Sequence, residues 1–186
     1  MNYIVLDLEA TCEKDNPHFN KEIIEIGAVK LTDSFEIIDT YDAFVRPILN
    51  PTLSAFCMEL TTIQQSDVDA ANLFPVVLNG FKEWIGVGSK EYLLCSWGFY
   101  DKKQLNADCR LHQLNDSWTD RHISLKHQFA DIRDCRPCGM EKALKILNIP
   151  LDGTHHRGID DAKNIAKIFK VYKDRWDFPA ELRWRW

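Results

Sequence analysis

The chain has 186 residues, of which 45% are hydrophobic and 27% charged, and its 23 Lys and Arg against 28 Asp and Glu leave a net charge of −5. That length and composition suit one soluble domain with a sizeable core. The acidic balance argues against a broadly electrostatic nucleic-acid binder, although an acidic active site with local basic contacts is compatible with it. No apolar stretch approaches the roughly 20 residues that a membrane span needs. The opening apolar run lacks a basic flank and is interrupted by Asp7 and Glu9, so a signal peptide is not expected and a cytoplasmic location is. The six cysteines should then be thiols. Cys135 and Cys138 form a lone CxxC, but the upstream pair, Cys109 and His112, is mixed and falls in an expected helix, so structural zinc is disfavoured.

Tyr3 to Leu6 is a β-branched-rich apolar run that reads as a strand buried on both faces. Side chains two apart on a strand share a face, so Asp7 and Glu9 point the same way where the strand ends. Two buried carboxylates repel and call for a positive partner, for which a divalent ion with oxygen ligands is the economical choice; the plainer alternative is the solvated end of an edge strand. After a polar loop from Thr11 to Glu22, strands are expected over Lys21–Leu31 and Phe35–Val45, with a turn at Asp33-Ser34. Glu25 on the first of these reads as an ion-pair or hydrogen-bond partner rather than a reacting group. The segment Thr52 to Thr62 is too short and irregular for a long helix. Leu73 to Ile85 repeats apolar residues at three and four and predicts an amphipathic helix.

Glu91 to Trp97 predicts another buried strand, broken by Gly98, and Asp101 begins a helix through Leu114. An acid there favours the helix dipole, yet its place beyond a strand end also makes it a candidate ligand. Ile123 and Leu125 suggest a short strand before a helix that ends near Asp131 to Arg133, and Gly139 to Leu147 a short helix stopped by Pro150. From Ile159 to Tyr172 a further helix buries Ala162, Ile165, Ala166, Phe169 and Tyr172. Asp161 falls on its buried side and Asp160 on its wet side. His156, five residues before Asp161 and next to Arg157-Gly158, is a candidate base.

These pieces together, a DxE pair on the first strand, an Asp after a later strand and His-x4-Asp at a late helix start, resemble the DEDD-superfamily 3′→5′ exonucleases with a histidine in the third motif. The segments DLEATC, SWGFYDKKQL and HHRGIDDAKNIA are similar to the enhancer-of-RNAi and histone-mRNA 3′ exonuclease branch, in its small stand-alone bacterial type. The resemblance implies an RNase H-like α/β fold, with a five-stranded mixed sheet of three antiparallel and then parallel strands flanked by helices. It implies a catalytic domain over 1–175, followed by an aromatic and basic tail over 176–186 that either packs on the domain or binds partners. Catalytic roles pass to Asp7, Glu9, Asp101, His156 and Asp161, the four acids as ligands of two divalent ions, Mg²⁺ or Mn²⁺.

The implied reaction is hydrolysis of phosphodiester bonds at 3′ ends of single-stranded nucleic acid or short overhangs, RNA favoured, releasing nucleoside 5′-monophosphates. Asp7 would bridge both ions, Glu9 and Asp161 would complete the water-bearing site, and Asp101 would support the second ion. His156, with an ordinary pKa near 6.5, suits a base at neutral pH. Ala10, Thr11, Leu60 and Thr61 are the implied contacts to the terminal nucleotide. Trp97 and Tyr100 are candidates to stack on a base, or else sheet-end core, and Arg157 is a candidate phosphate contact. Glu59-Leu60-Thr61-Thr62-Ile63 resembles the family's ELTGI, with Thr62 where glycine is usual. The alternatives are a DNA exonuclease of the same mechanism, a non-catalytic nucleic-acid-binding adaptor, and a metal phosphohydrolase acting on small nucleotides.

Overall fold

The computed structural model describes residues 1–14, 16 and 18–179. Five strands, β1 (Asn2–Ala10), β2 (Ile23–Leu31), β3 (Ile37–Phe44), β4 (Tyr92–Ser96) and β5 (His122–Ser124), form one mixed sheet in the order β3-β2-β1-β4-β5. The first three strands are antiparallel, while β1–β4 and β4–β5 are parallel. This is the RNase H-like arrangement. The helices are α1 (Ala55–Thr61), α2 (Gln65–Ala70), α3 (Phe74–Ile85), α4 (Tyr100–Leu111), α5 (Leu125–Arg133), α6 (Met140–Ile146) and α7 (Gly158–Val171).

The strand alternation sorts β1 between two cores. Tyr3 and Val5 pack with Phe129, Leu144, Ile165 and Phe169 beneath α5, α6 and α7. Ile4, Leu6 and Leu8 pack on the other face with Phe81 and Ile85 of α3 and Leu105 of α4. Every residue of β2 is buried, its apolar majority and also Glu25 and Lys30. Period two carries the first face onward from Tyr3 and Val5 to Asp7 and Glu9, beneath the start of α7.

Helix α7 comes closest to the sheet at paired glycines. A Cβ on Gly27 would lie 2.0 Å from the Gly158 carbonyl carbon, and one on Gly158 would lie 3.0 Å from the Asp7 oxygen. Only glycine at position 27 allows this approach.

Several boundaries differ from expectation. The helix that contains Asp101 ends at Leu111, not Leu114, because Gln113 turns left-handed at φ +55 and the Leu114 amide bonds back to Cys109. That pattern closes a helix. Leu125 opens α5 instead of extending a strand, and β3 begins only at Ile37, after Phe35 at φ +62. Thr62, at φ +62, is the left-handed cap of the seven-residue α1, a conformation that glycine adopts freely and threonine does not. Packing also runs past residue 175. Trp176 is buried, stacks on Phe169 and donates its indole N–H to the Phe169 carbonyl at 2.8 Å, while Phe178 lies 5.2 Å from Tyr3. The part of the expected tail at 180–186 lies outside the described residues.

Candidate active site

The β1–β4 ladder pairs Val5 with Cys95 as its last register, while β1 continues to Ala10 against β2. Beyond that point the strands part, and the opening is the kind of position where α/β sheets bind ligands. A pocket of about 590 Å³ occupies it, lined by Asp7, Glu9 and Ala10 of β1, Leu60 of α1, Trp97, Tyr100 and Asp101 around the start of α4, and His155, His156 and Asp161 before and within α7. Gly139, Met140 and Lys142 also line it.

Each acid is held by local structure. Asp101 is buried and its Oδ1 accepts the Leu8 amide at 3.2 Å. Asp161, in the first turn of α7, accepts the His156 amide at 3.1 Å and contacts His155 Nδ1 at 2.9 Å. His156 sits at φ +64, a left-handed turn that aims its amide back at this carboxylate. Asp160 accepts the Thr154 amide at 2.9 Å and lies 3.7 Å from Lys163, so the two neighbouring acids diverge as the helical spacing requires.

Ligand oxygens of Asp7, Glu9 and Asp161 fall within 4.8 Å of one another. Burial, then the neighbouring acids Asp101, Glu9 and Asp161, raises the Asp7 pKa well above the ordinary carboxylate range. Burial and then Glu25 push Glu9 up to about 8, and burial pushes Asp101 up to about 6, against the hydrogen bonds from Ser96 and Leu8. Asp161 is raised by burial in spite of its two histidines. His156 is lowered, by burial and then by His155. Among the described residues no Lys or Arg forms an ion pair with Asp7, Glu9, Asp101 or Asp161. A converging set of carboxylates, of which Glu9, Asp101 and Asp161 are buried residues, without a paired cation fits a divalent ion with oxygen ligands.

The structure brings Asp7, Glu9, Asp101, His156 and Asp161 to one pocket, together with Ala10, Leu60, Trp97 and Tyr100. It does not bring Thr11, Thr61 or Arg157 to the lining. The Thr11 hydroxyl accepts the Glu22 amide at 2.9 Å, and the buried Thr61 hydroxyl donates to the Cys57 carbonyl at 2.8 Å. Arg157 is turned away by Glu25, whose oxygens lie 3.3 Å from its Nε and Nη2, and it packs over the Phe44 ring. Glu25 is thus the structural partner that its strand position suggested. His155 was not legible as part of the site, because its only signal was adjacency to His156. Cys109, on α4, is buried in the core that this helix shares with α3, and the Cys138 carbonyl accepts the Trp97 indole N–H at 2.9 Å.

Comparison with known proteins agrees with this geometry. The Exonuclease profile of the RNase T type matches residues 4–169. Rat 3'-5' exoribonuclease 1 is 40% identical over 175 residues, covering 88% of this chain and 50% of the relative. Mouse ERI1 exoribonuclease 3 is 37% identical over 186 residues, covering 91% of this chain and 52% of the relative. The chain therefore spans about half the length of these curated relatives. The nuclease domain of 3'hExo, described as a DEDDh family member bound to rAMP, superposes with a TM-score of 0.88 at 36% identity, over 93% of this chain and 92% of that one. A 3'-exonuclease solved in recognition of the histone mRNA stem-loop gives 0.88 at 34% identity, over 93% and 81%. No helix among the described residues is long and apolar enough to cross a membrane. On the strength of the matched profile and these relatives, the chain belongs to the RNase T exonuclease family, among the relatives of 3'-5' exoribonuclease 1.

Proposed function

We propose that the protein is a metal-dependent 3′→5′ exonuclease that removes nucleoside 5′-monophosphates from 3′ ends of single-stranded RNA or short overhangs. The observation that carries this reading is the convergence of Asp7, Glu9, Asp101 and Asp161 on one pocket, with no Lys or Arg paired to them among the described residues. Asp7, Glu9 and Asp161 would hold one divalent ion, and Asp7 with Asp101 a second, Mg²⁺ or Mn²⁺. When bound, two such ions neutralise phosphoryl charge, activate water and stabilise the leaving oxygen.

The protein's own groups do the rest. His156 borders the pocket beside Asp161, and its lowered pKa keeps the imidazole neutral, ready to accept the proton of the attacking water. Its backbone amide donates to Asp161, which links the base to the carboxylate beside it. Hydrolysis places the water oxygen on phosphorus, and the departing 3′ oxygen receives a proton. A volume of about 590 Å³ suits a terminal nucleotide. Leu60 and Ala10 supply apolar lining, and the Tyr100 ring, 44% exposed, offers a stacking face.

RNA is favoured because relatives at 40% and 37% identity are exoribonucleases by name. Matched RNA and DNA oligomers of one sequence, incubated with Mg²⁺, Mn²⁺ or a chelator, test the reading. Metal-dependent shortening of RNA ahead of DNA is expected. Faster loss of DNA would overturn the RNA preference, and inertness toward both would overturn the activity.

A further inference from the structure

Asp161 belongs to two sets of potential ligands at once. With Asp7 and Glu9 it makes an all-carboxylate set, and with His155 and His156 a second set whose ligand atoms also lie within 4.8 Å of one another. The first is hard and suits Mg²⁺ or Mn²⁺. The second contains two imidazoles, which suit zinc and its neighbours in the first transition row. His155 has no role in the reaction described above.

His155 Nδ1 is hydrogen-bonded to the Asp161 carboxylate, 2.9 and 3.1 Å from its two oxygens. The two donors thus already approach as closely as two ligands of a tetrahedral zinc ion, about 3.3 Å apart, and an ion between them would take the place of the shared proton. With all three donors inside 4.8 Å, each needs to move inward by less than about 1 Å to reach the usual zinc distances of about 2.0–2.2 Å. The His155 and His156 rings are stacked, with centroids 4.0 Å apart and planes 19° from parallel. One ring must therefore turn about its Cβ–Cγ bond to aim a nitrogen at a shared ion, and His155, 38% exposed, has the room to do so. His155, His156 and Asp161 all line the open pocket, so an ion reaches them from solvent.

We propose that His155, His156 and Asp161 form a binding site for a zinc-type transition-metal ion, and that an ion held there blocks the exonuclease by withdrawing Asp161 and His156 from the reaction. The binding is independent of the function proposed above; only the inhibition rests on it. His155 is what makes this second site possible, because without it Asp161 and His156 offer two donors and no more.

The test uses the full chain, stripped of metal and titrated with Co²⁺, whose visible absorption reports nitrogen ligation, and then with Zn²⁺ in competition. Three proteins are compared: wild type, His155→Phe, which keeps the ring stack and loses the ligand nitrogen, and Asp7→Asn, which impairs the carboxylate set alone. Circular dichroism shows that each is folded, and His155→Asn replaces His155→Phe if the latter is not. Wild type and Asp7→Asn should bind Co²⁺ with the same spectrum. Loss of even an outer-shell partner weakens metal affinity by about 10–100-fold, so His155→Phe should bind at least tenfold more weakly.

In parallel, Zn²⁺ should inhibit the Mg²⁺-supported activity of wild type at about tenfold lower concentration than that of His155→Phe, each protein being measured against its own uninhibited rate. Equal Co²⁺ spectra and equal Zn²⁺ inhibition in wild type and His155→Phe would overturn the site, as would loss of the Co²⁺ signal in Asp7→Asn. If no protein degrades nucleic acid but the Co²⁺ signal still follows His155, the metal site stands and the exonuclease reading fails with its inhibition.

Discussion

Glu25, the third residue of β2, accepts the Gly158 amide at 2.9 Å and so ties the first residue of α7 to the sheet. The same carboxylate, with no exposed surface, takes the guanidinium of Arg157. Three residues further on, α7 presents Asp161 to the acids of β1. The position of the third-motif acid is thereby set from a strand that contributes no ligand of its own.

Removing one partner of a buried ion pair leaves the other uncompensated, at a cost of about 3–5 kcal/mol. Because Arg157 keeps some exposure, the lower end applies to Glu25→Ala: a loss of about 3 kcal/mol in urea unfolding. Glu25→Gln keeps an acceptor for the Gly158 amide and should lose less.

Gly27→Ala would drive a methyl group to 2.0 Å from the Gly158 backbone. Neither β2 nor the start of α7 can yield there without moving Asp161. The expected result is a stability loss at or above the upper end of about 1–3 kcal/mol for overpacking, with a fall in activity larger than the unfolded fraction explains. Unfolding curves and rates measured on the same protein check this.

Thr62 holds a left-handed conformation that costs an L-residue roughly 1–2 kcal/mol. Thr62→Gly relieves it while loosening the unfolded chain, which offsets part of the gain. A net stabilisation of about 0.5–1 kcal/mol is expected, read as a raised urea midpoint with an unchanged slope.

Acids with raised pKa values set the pH dependence of the metal-free protein. Glu9 moves from an ordinary 4.5 to about 8 on folding, so between those values the folded state binds more protons than the unfolded one. Stability should then fall as pH rises from about 4.5 to about 8 and level off above. Divalent metal favours the ionised form, so the stabilisation by Mg²⁺ or Mn²⁺ should grow over the same range. Thermal unfolding with and without chelator tests both trends; a metal-free stability that rises with pH would contradict them.

The legible part of this protein is the part governed by local periodicity. Alternation on β1 set Asp7 and Glu9 on one face, and helical spacing separated Asp161 from Asp160. What stayed hidden depends on tertiary contact. Glu25 and Arg157 pair across 132 positions, so neither hydropathy nor spacing links them, and Arg157 read from its neighbours looked free for phosphate. The hydroxyls of Thr11 and Thr61 are likewise taken by backbone groups of the folded chain. His155 entered the site through a turn whose left-handed residue, His156, carries no glycine to announce it.

The most direct test is a time course on single-stranded RNA labelled at either the 5′ or the 3′ end, with Mg²⁺ or chelator, beside His156→Ala. A metal-dependent ladder of shortening 5′-labelled fragments is expected, with immediate release of 3′ label as mononucleotide. His156→Ala should be slower by about 10²–10⁴-fold. Activity should rise with pH along an acidic limb centred below 6.5, because burial and His155 lower the His156 pKa from that value. Internal cleavage products, release of 5′ label first, or full activity in His156→Ala would contradict it.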